Sequence, residues 1–278
     1  MTTKPVSSEL LLRINSALIL VVLSLSLTYA GPQTFAGLIL FFSCLMGWEW
    51  GRVVRGKGID GIFAIQALSI IAAGALTLEL HPVYAVLVIL AATYTAFWLH
   101  KWWNYHSDPW WSAAGVYYAG FPAISLIAIR QDANYGFHAI IFLFIIVWSA
   151  DTGAFFIGRM IGGPKLAPKI SPNKTWSGLI GGALVACAAG VAFARWLGHT
   201  SLTAMGLLSL TLALVSQGGD LGESAVKRFF GVKDSSGLIP GHGGVLDRLD
   251  GLVFAAMGAG LVAVAANPLQ PGRALLIW

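Results

Sequence analysis

Residues 201–230 read SLTAMGLLSLTLALVSQGGDLGESAVKRFF, and this stretch changes character once along its length. Residues 201–219 carry no charged side chain, and a run of about that length can cross the hydrocarbon core of a bilayer as a helix. From Asp220 onwards, acidic and basic residues follow one another closely. The stretch therefore predicts a membrane-spanning helix that carries a charged cluster at one end.

The composition of the whole chain agrees with a membrane protein. Of the 278 residues, 57% are hydrophobic and 10% are charged, and the mean hydropathy is +0.76. A soluble domain carries about 25% charged residues. The net charge of +5 comes from basic residues scattered between apolar segments, which does not favour nucleic-acid binding. Cys44 and Cys187 lie inside apolar segments and indicate neither a disulfide framework nor a metal site.

Apolar segments of about twenty residues recur along the chain, separated by glycine, proline or charge. We predict an all-α, polytopic integral membrane protein with about nine transmembrane helices. We also predict a division into residues 1–135, with spans one to five, and residues 136–278, with the remaining spans and the polar site. The spans are placed at 14–30, 33–48, 59–79, 82–99, 111–129, 136–156, 176–197, 201–219 and 251–267.

The basic residues predict the orientation of these spans. If the N-terminus faces the cytoplasm and the C-terminus the outside, all of the seventeen lysines and arginines but Arg130, Arg195 and Arg273 fall on cytoplasmic segments. Such a bias is typical of membrane proteins. It also supports an odd number of spans, because one span more or fewer would invert everything downstream.

The first span has an alternative interpretation. Lys4 and Arg13 precede an apolar run that ends at Ala30, a pattern that also resembles a secretory signal peptide with a small-residue cleavage site. Cleavage would leave the sidedness of the remaining spans unchanged.

A first polar block lies at the inner end of the sixth span. Asp151 falls about 22 Å along that span at 1.5 Å per residue, near the cytoplasmic boundary. An acidic residue in an apolar segment indicates a functional site, because burying it without a partner is costly. The alternative is a structural ion pair, for example with Arg159. A basic and proline-containing segment follows at residues 165–176.

A second polar block continues the eighth span. If its helix extends past residue 219, Asp220, Ser224, Lys227 and Arg228 share one face. An amphipathic surface helix is the alternative, but this stripe continues a lipid-embedded helix, which favours a functional site.

The segment that follows is rich in glycine. Residues 241–244 can turn sharply and direct N–H groups at an anion, although His242 alone is more often an ordinary hydrogen-bonded loop residue. Asp247 and Asp250 come next, at a spacing that places them on one helix face at the mouth of the ninth span.

The predicted topology brings Asp151, Asp220, Asp247 and Asp250 to the same side of the membrane. Carboxylates gathered in this way repel one another unless a cation lies between them, and a hard divalent cation suits their oxygens. The surrounding lysines and arginines suit phosphate groups. We therefore expect Mg²⁺, with a second cation possible, and a nucleoside triphosphate as the ligand.

These residues resemble the signature of the phosphatidate cytidylyltransferases, also called CDP-diacylglycerol synthases. The resemblance covers about the last half of the chain in detail. Two positions depart from the pattern: Ser177 stands where an acidic residue is expected, and Gly251 follows Asp250 in place of serine. The matching segments are Lys165-Leu166-x-Pro168-x-Ile170-Ser171-Pro172-x-Lys174-Thr175, Ser224-x-x-Lys227-Arg228, Lys233-Asp234-x-x-Gly237 and Pro240-Gly241-His242-Gly243-Gly244-x-Leu246-Asp247-Arg248-x-Asp250.

The resemblance implies transfer of a cytidylyl group from CTP to phosphatidic acid, with Mg²⁺, in phospholipid biosynthesis at the bacterial cytoplasmic (inner) membrane. The partners are then CTP, phosphatidic acid and the bilayer, and small-residue helix faces permit a homodimer. Predicted metal ligands are Asp220, Asp247 and Asp250, and predicted catalytic residues are Lys227, Arg228, Asp247 and Asp250. Predicted substrate-binding residues are Asp151, Ser171, Lys174, Ser224, Lys233, Asp234, Gly241, His242, Gly243, Gly244 and Arg248.

Three alternative functions require different sequence features. A transporter or channel predicts charges spread through the midplane and a repeat between halves, neither of which the sequence has. A CDP-alcohol phosphatidyltransferase requires a D-G-x-x-A-R run, which Asp60-Gly61-Ile62-Phe63 does not supply. An inactive scaffold stays open at this point.

Overall fold

The structure is a computed structural model that describes residues 8–198, 201–241 and 243–277. Helices dominate it, with one short hairpin of two antiparallel strands. The elements are α1 (Ser8–Ala30), α2 (Pro32–Arg55), α3 (Gly61–Leu78), α4 (Pro82–Trp102), α5 (Pro109–Gln131), α6 (Gly136–Ile161), β1 (Lys165–Ala167), β2 (Ser171–Thr175), α7 (Trp176–Trp196), α8 (Leu202–Phe229), α9 (Leu246–Ala266) and α10 (Pro271–Leu276).

The helices confirm the predicted fold class. Within the described ranges, α2 to α9 are each long and apolar enough to cross a membrane, and α1 adds a shorter apolar stretch, Ile14–Ala30. These nine helices correspond to the nine predicted spans. The protein is an all-α, polytopic integral membrane protein.

Several span boundaries differ from the prediction, and two of the differences concern the polar site. Helix α8 continues to Phe229 instead of ending at residue 219, because no proline interrupts its polar stripe. Helix α9 begins at Leu246 rather than residue 251, so Asp247 and Asp250 lie in its first turns. The β1–β2 hairpin, which pairs Lys165 with Thr175 and Ala167 with Ser171, and the short helix α10 were not predicted.

Successive helices alternate in direction, so the segments 56–60, 103–108, 162–175 and 230–245 lie at one end of the bundle. Helix α6 packs on α7, α7 on α8 and α8 on α9. Helix α5 contacts α2, α3 and α4 of the first half of the chain and also α9 of the second half. Elements of the first half of the chain therefore reach the polar segments of the second half.

A buried ion pair ties the loops of the first half together at this end. Arg55 Nε lies 2.8 Å from Asp60 Oδ2, and the Tyr105 hydroxyl donates to the same oxygen at 2.9 Å. Burial alone would raise the pKa of Asp60, but hydrogen bonds from Arg55 and the Phe63 N–H outweigh it and hold that pKa below its ordinary value. Asp60 also caps α3 through this N–H.

Candidate functional site

One ion pair joins the two polar blocks. Lys174 in β2 places its Nζ 2.6 Å from Asp220 Oδ2 in α8, and the two side chains keep 22% and 31% of their surface exposed. Ser224 lies one turn beyond Asp220 and donates to its other oxygen at 3.5 Å. We refer to Lys174 and Asp220 as the half-exposed pair. The structure thus brings three of the predicted site residues together.

A second set of charges lies deeper in the bundle. Lys227 Nζ is 2.7 Å from Glu223 Oε2 and 2.6 Å from Asp247 Oδ1. The side chains of Lys227, Glu223 and Asp247 are 11%, 1% and 5% exposed. We refer to these three residues as the buried cluster. Its members come from α8 and α9, so the cluster links those helices. Glu223 was not among the site residues predicted from the sequence.

Both oxygens of Asp247 are engaged by more than Lys227. Asp247 Oδ2 accepts hydrogen bonds from Gly244 N at 2.8 Å, Ser235 N at 3.0 Å and Ser235 Oγ at 3.1 Å. Gly243, with φ of 83°, turns the chain at this point, and a Cβ there would lie 2.8 Å from the same oxygen. The glycine-rich loop therefore folds around Asp247.

Glu49 also holds this loop in place, although it was not among the site residues predicted from the sequence. The side chain comes from α2, is 0% exposed and accepts from Ser235 Oγ and Ser236 Oγ. It also accepts from the backbone N–H groups of Val245 (2.9 Å) and Leu246 (2.7 Å) at the start of α9. Val245 supplies no side-chain cap, so a carboxylate from another helix satisfies these N–H groups. A signal existed: Glu49 is the only acidic residue between Glu9 and Asp60.

Close backbone contact between α8 and α9 brings the remaining carboxylates together. A Cβ on Gly251 would lie 2.6 Å from Ser216 Oγ, and one on Gly219 would lie 2.5 Å from the Phe254 ring. Asp220 and Asp250, the neighbours of these glycines, act on each other electrostatically. The tight contact also explains the departure at position 251, because serine would require Ser216 to move.

Asp151 lies near the half-exposed pair. Its carboxylate is acted on by the charges of Asp220, Lys174 and Arg248, in agreement with the predicted convergence at one end of the bundle. No ion pair joins Asp151 to Arg159 among the described side chains, so that alternative is not supported. Ser177, the other departing position, donates to Gly162 O and so fixes the turn before the hairpin.

Arg228 connects the hairpin to the long loop after α8. Its guanidinium donates to Val232 O at 3.1 Å and to Ile170 O at 3.4 Å, next to the half-buried Ser171. Lys233, Asp234 and Gly241 are exposed along that loop. His242 lies outside the described residues. The predicted site residues are thus split between exposed loop positions and the charged groups between α8 and α9.

The carboxylates at this site can be compared with the ligands that a divalent cation needs. In the described part of the chain, no three His, Cys, Asp or Glu side chains are grouped so that they could hold a metal ion. Mg²⁺ usually takes only one or two protein carboxylates and completes its shell with water and phosphate. Asp220 and Asp250 supply carboxylates of this kind on adjacent helices, whereas the oxygens of Asp247 are occupied by hydrogen bonds.

Comparison with known proteins identifies the family of the chain. The chain matches the Cytidylyltransferase family over residues 11–265. A phosphatidate cytidylyltransferase from Brucella suis biovar 1 (strain 1330) is 43% identical over 251 residues, which cover 90% of this chain and 91% of that protein. One from Haemophilus influenzae is 45% identical over 142 residues, 49% of each chain. One from Staphylococcus haemolyticus is 41% identical over 140 residues, 50% of this chain and 53% of the relative. Because both the family match and the Brucella match span most of its length, this chain belongs to the cytidylyltransferase family.

Proposed function

We propose that the protein is a phosphatidate cytidylyltransferase, which transfers CMP from CTP to phosphatidic acid and releases pyrophosphate. The observation that carries the proposal is the half-exposed pair, in which Lys174 of the first polar block meets Asp220 of the second. Relatives that carry this name match the chain over nine-tenths of its length. The cation and the carboxylate of that pair suit a phosphate group and a metal ion, respectively.

The reaction is a substitution at phosphorus. An oxygen of the lipid phosphate forms a bond to the α-phosphorus of CTP, while the bond from that phosphorus to the β-phosphate oxygen breaks and its electron pair leaves with pyrophosphate. Positioning and charge neutralisation supply most of the catalysis in such transfers. Lys174 would bind the lipid phosphate after leaving Asp220, and the exposed Arg228 and Lys233 would bind phosphates of CTP.

Asp220 and Asp250 would hold Mg²⁺, with Asp151 close by. When bound there, Mg²⁺ would neutralise phosphate charge and orient the triphosphate for displacement. The predicted metal role of Asp247 would require it to give up its bonds to Ser235 and Gly244, so we assign it first to positioning. Lys227 would then act by holding Asp247. A second cation stays a prediction.

The position of the site suits both substrates. CTP comes from the cytosol and phosphatidic acid presents its headgroup at the bilayer surface, so a site at one end of the bundle is open to both. We propose that this end faces the cytoplasm at the bacterial inner membrane, with the N-terminus inside and the C-terminus outside, as the basic residues indicate. The homodimer, cleavage of the first span and the division at residue 136 stay predictions.

The test is direct. Purified protein in mixed micelles is supplied with phosphatidic acid, labelled CTP and Mg²⁺, and both lipid-linked cytidine and pyrophosphate are measured. We expect the two products to form in equal amounts. Removal of Mg²⁺ by a chelator should abolish the product, and added Mg²⁺ should restore it. If a related enzyme is active in parallel and this protein forms no lipid-linked cytidine, the proposal is wrong.

A further inference from the structure

Tyr118 of α5 is a buried tyrosine that lies behind the candidate site. The residue is 8% exposed. Its ring stacks on Trp50 of α2, with the two ring centroids 5.0 Å apart, and meets the Phe254 ring of α9 edge-on at 5.9 Å. Tyr118 therefore links α2, α5 and α9 where the two halves of the chain meet.

The packing of the ring does not explain the hydroxyl group of Tyr118. Its oxygen is buried and has no hydrogen-bond partner among the described residues. A buried hydroxyl without a partner carries the full penalty of losing its contacts with water. Phenylalanine would pack on Trp50 and Phe254 in the same way without that penalty, so the hydroxyl calls for a separate role.

The Tyr118 hydroxyl faces the carboxylates of the candidate site. Phe254 lies one turn beyond Asp250, so the Tyr118 ring packs on the face of α9 that also carries Asp250. A helical side chain leans toward the start of its helix, and α5 starts at the end of the bundle that carries the polar segments. Four carboxylates act on the hydroxyl electrostatically, in decreasing order Asp250, Glu223, Asp220 and Asp247.

A tyrosine–aspartate hydrogen bond occurs elsewhere in this protein. Tyr105 donates to Asp60 Oδ2 at 2.9 Å, and the same oxygen lies 2.8 Å from Arg55 Nε. A carboxylate that binds a cation thus keeps lone pairs for a phenolic hydroxyl. Asp250 Oδ1 accepts from the Gly251 N–H at 2.8 Å, which likewise leaves that carboxylate able to accept from a further donor.

We propose that Tyr118 is a positioning residue for cytidylyl transfer, whose hydroxyl donates to Asp250 in the Mg²⁺-loaded site and holds that carboxylate toward the cation. Carboxylates that ligate a metal are usually hydrogen-bonded themselves, and those bonds fix their orientation. Tyr118 touches neither substrate in this role and acts through Asp250. The inference rests on the proposed function, which assigns Asp250 to Mg²⁺.

The first experiment measures metal binding without substrates. Mn²⁺, which electron paramagnetic resonance detects, stands in for Mg²⁺ and is titrated into the purified protein in mixed micelles. Tyr118→Phe keeps the ring and removes the hydroxyl, so the Kd for Mn²⁺ should rise about tenfold, as is usual when a group that orients a metal ligand is lost. Tyr117→Phe is the matched control, because this neighbour is 46% exposed and lines a separate apolar cavity. It should leave the Kd unchanged.

The stability of the metal-free protein separates a positioning role from a structural one. Removing an unpaired hydroxyl should leave the midpoint of denaturant unfolding unchanged or raise it, whereas the stabilisation that Mn²⁺ adds should shrink. Tyr105→Phe removes a hydroxyl that is bonded to Asp60, so it should lower the midpoint without weakening Mn²⁺ binding. A lower midpoint for metal-free Tyr118→Phe would show that its hydroxyl serves the fold and would overturn the proposal.

Turnover gives a second readout. In Tyr118→Phe, the Mg²⁺ concentration that gives half-maximal transfer should rise about tenfold, while the KM for phosphatidic acid should not change. Tyr118→4-aminophenylalanine returns an N–H donor to the same place and should recover the Mn²⁺ affinity.

Three results would overturn the proposal: unchanged Mn²⁺ affinity in Tyr118→Phe, equal weakening in Tyr117→Phe, or no saturable Mn²⁺ binding by the parent protein. Weaker Mn²⁺ binding by Tyr118→Phe, together with no lipid-linked cytidine from the parent protein, would instead contradict the proposed function alone.

Discussion

The half-exposed pair and the buried cluster contain the same kinds of side chain in different surroundings. The side chains of Lys174 and Asp220 are 22% and 31% exposed, although Lys174 Nζ itself is buried against Asp220, and Ser224 also donates to Asp220. Lys227 is enclosed between Glu223 and Asp247, and Asp247 is bonded further to the loop after α8. The half-exposed pair can exchange its partners for a phosphate and a metal ion at a lower cost than the buried cluster, because a charge separated in the cluster would remain further from water.

The difference assigns different tasks to residues that look alike in the sequence. We infer that the half-exposed pair meets the substrates, while the buried cluster fixes α8, α9 and the loop at the distances that the pair requires. Substitutions in the half-exposed pair should then lower activity more than stability, and substitutions in the buried cluster should lower stability. The following variants test this difference.

The largest expected effect is that of Lys227→Met. This change keeps the length of the side chain but leaves Glu223 and Asp247 buried without a cation, which should lower the free energy of unfolding by about 3–5 kcal/mol. Denaturant unfolding in micelles measures the loss, and cytidylyl transfer should fall with it. A triple variant that also carries Glu223→Gln and Asp247→Asn should regain stability but not activity. Unchanged stability in Lys227→Met would show that the cluster is not a structural unit.

Asp220→Asn should have the opposite pattern. Removing a contact that acts on the transition state commonly costs about a hundredfold in rate, so we expect at least that loss in kcat. Because the pair is partly exposed, the free energy of unfolding should change by less than about 1 kcal/mol. Parallel rate and unfolding measurements check both parts. Full activity would refute the role of Asp220, and a large loss of stability would remove the distinction between the pair and the cluster.

Glu49→Gln tests whether the scaffold extends into the first half of the chain. The amide keeps the volume but replaces one carboxylate oxygen with an NH2 group, which would face the N–H donor of either Val245 or Leu246, a change worth about 2 kcal/mol for bonds to a charged group. The loop should open more often, so a reporter cysteine at Leu238→Cys should react at least about tenfold faster.

The matched control for this variant is Gln66→Met. Gln66 is also buried and donates to Gly115 O, away from the loop. It should lower stability without changing the labelling rate at position 238. If both variants accelerate labelling equally, Glu49 acts only through general stability and does not position the loop.

Glu49 also illustrates what could not be predicted from the sequence. The spans and the convergence of the aspartates at one end followed from local hydropathy and charge, which a chain reports residue by residue. The contact between Glu49 and Leu246 spans 197 positions and depends on how α2 packs beside α9, which periodicity does not report. The different environments of Asp220 and Asp247 could not be predicted for the same reason. The burial of Asp247 and its bonds to Ser235 depend on how the helices pack.

The smallest effect on turnover is expected at Asp60, whose ion pair with Arg55 is as buried as the cluster but lies outside the candidate site. Its pKa is held below the ordinary value of 3.8, so the charged form stabilises the folded state above that value and the benefit is lost as pH falls through the lower, folded-state pKa. The difference in unfolding free energy between the parent and Asp60→Asn should therefore be constant above about pH 5 and shrink in more acidic solution. The kcat per folded molecule should not change at neutral pH. If Asp60→Asn lowered kcat as much as Asp220→Asn, the loss of any carboxylate at this end of the bundle would be enough to impair turnover. That result would contradict a separate role for the half-exposed pair.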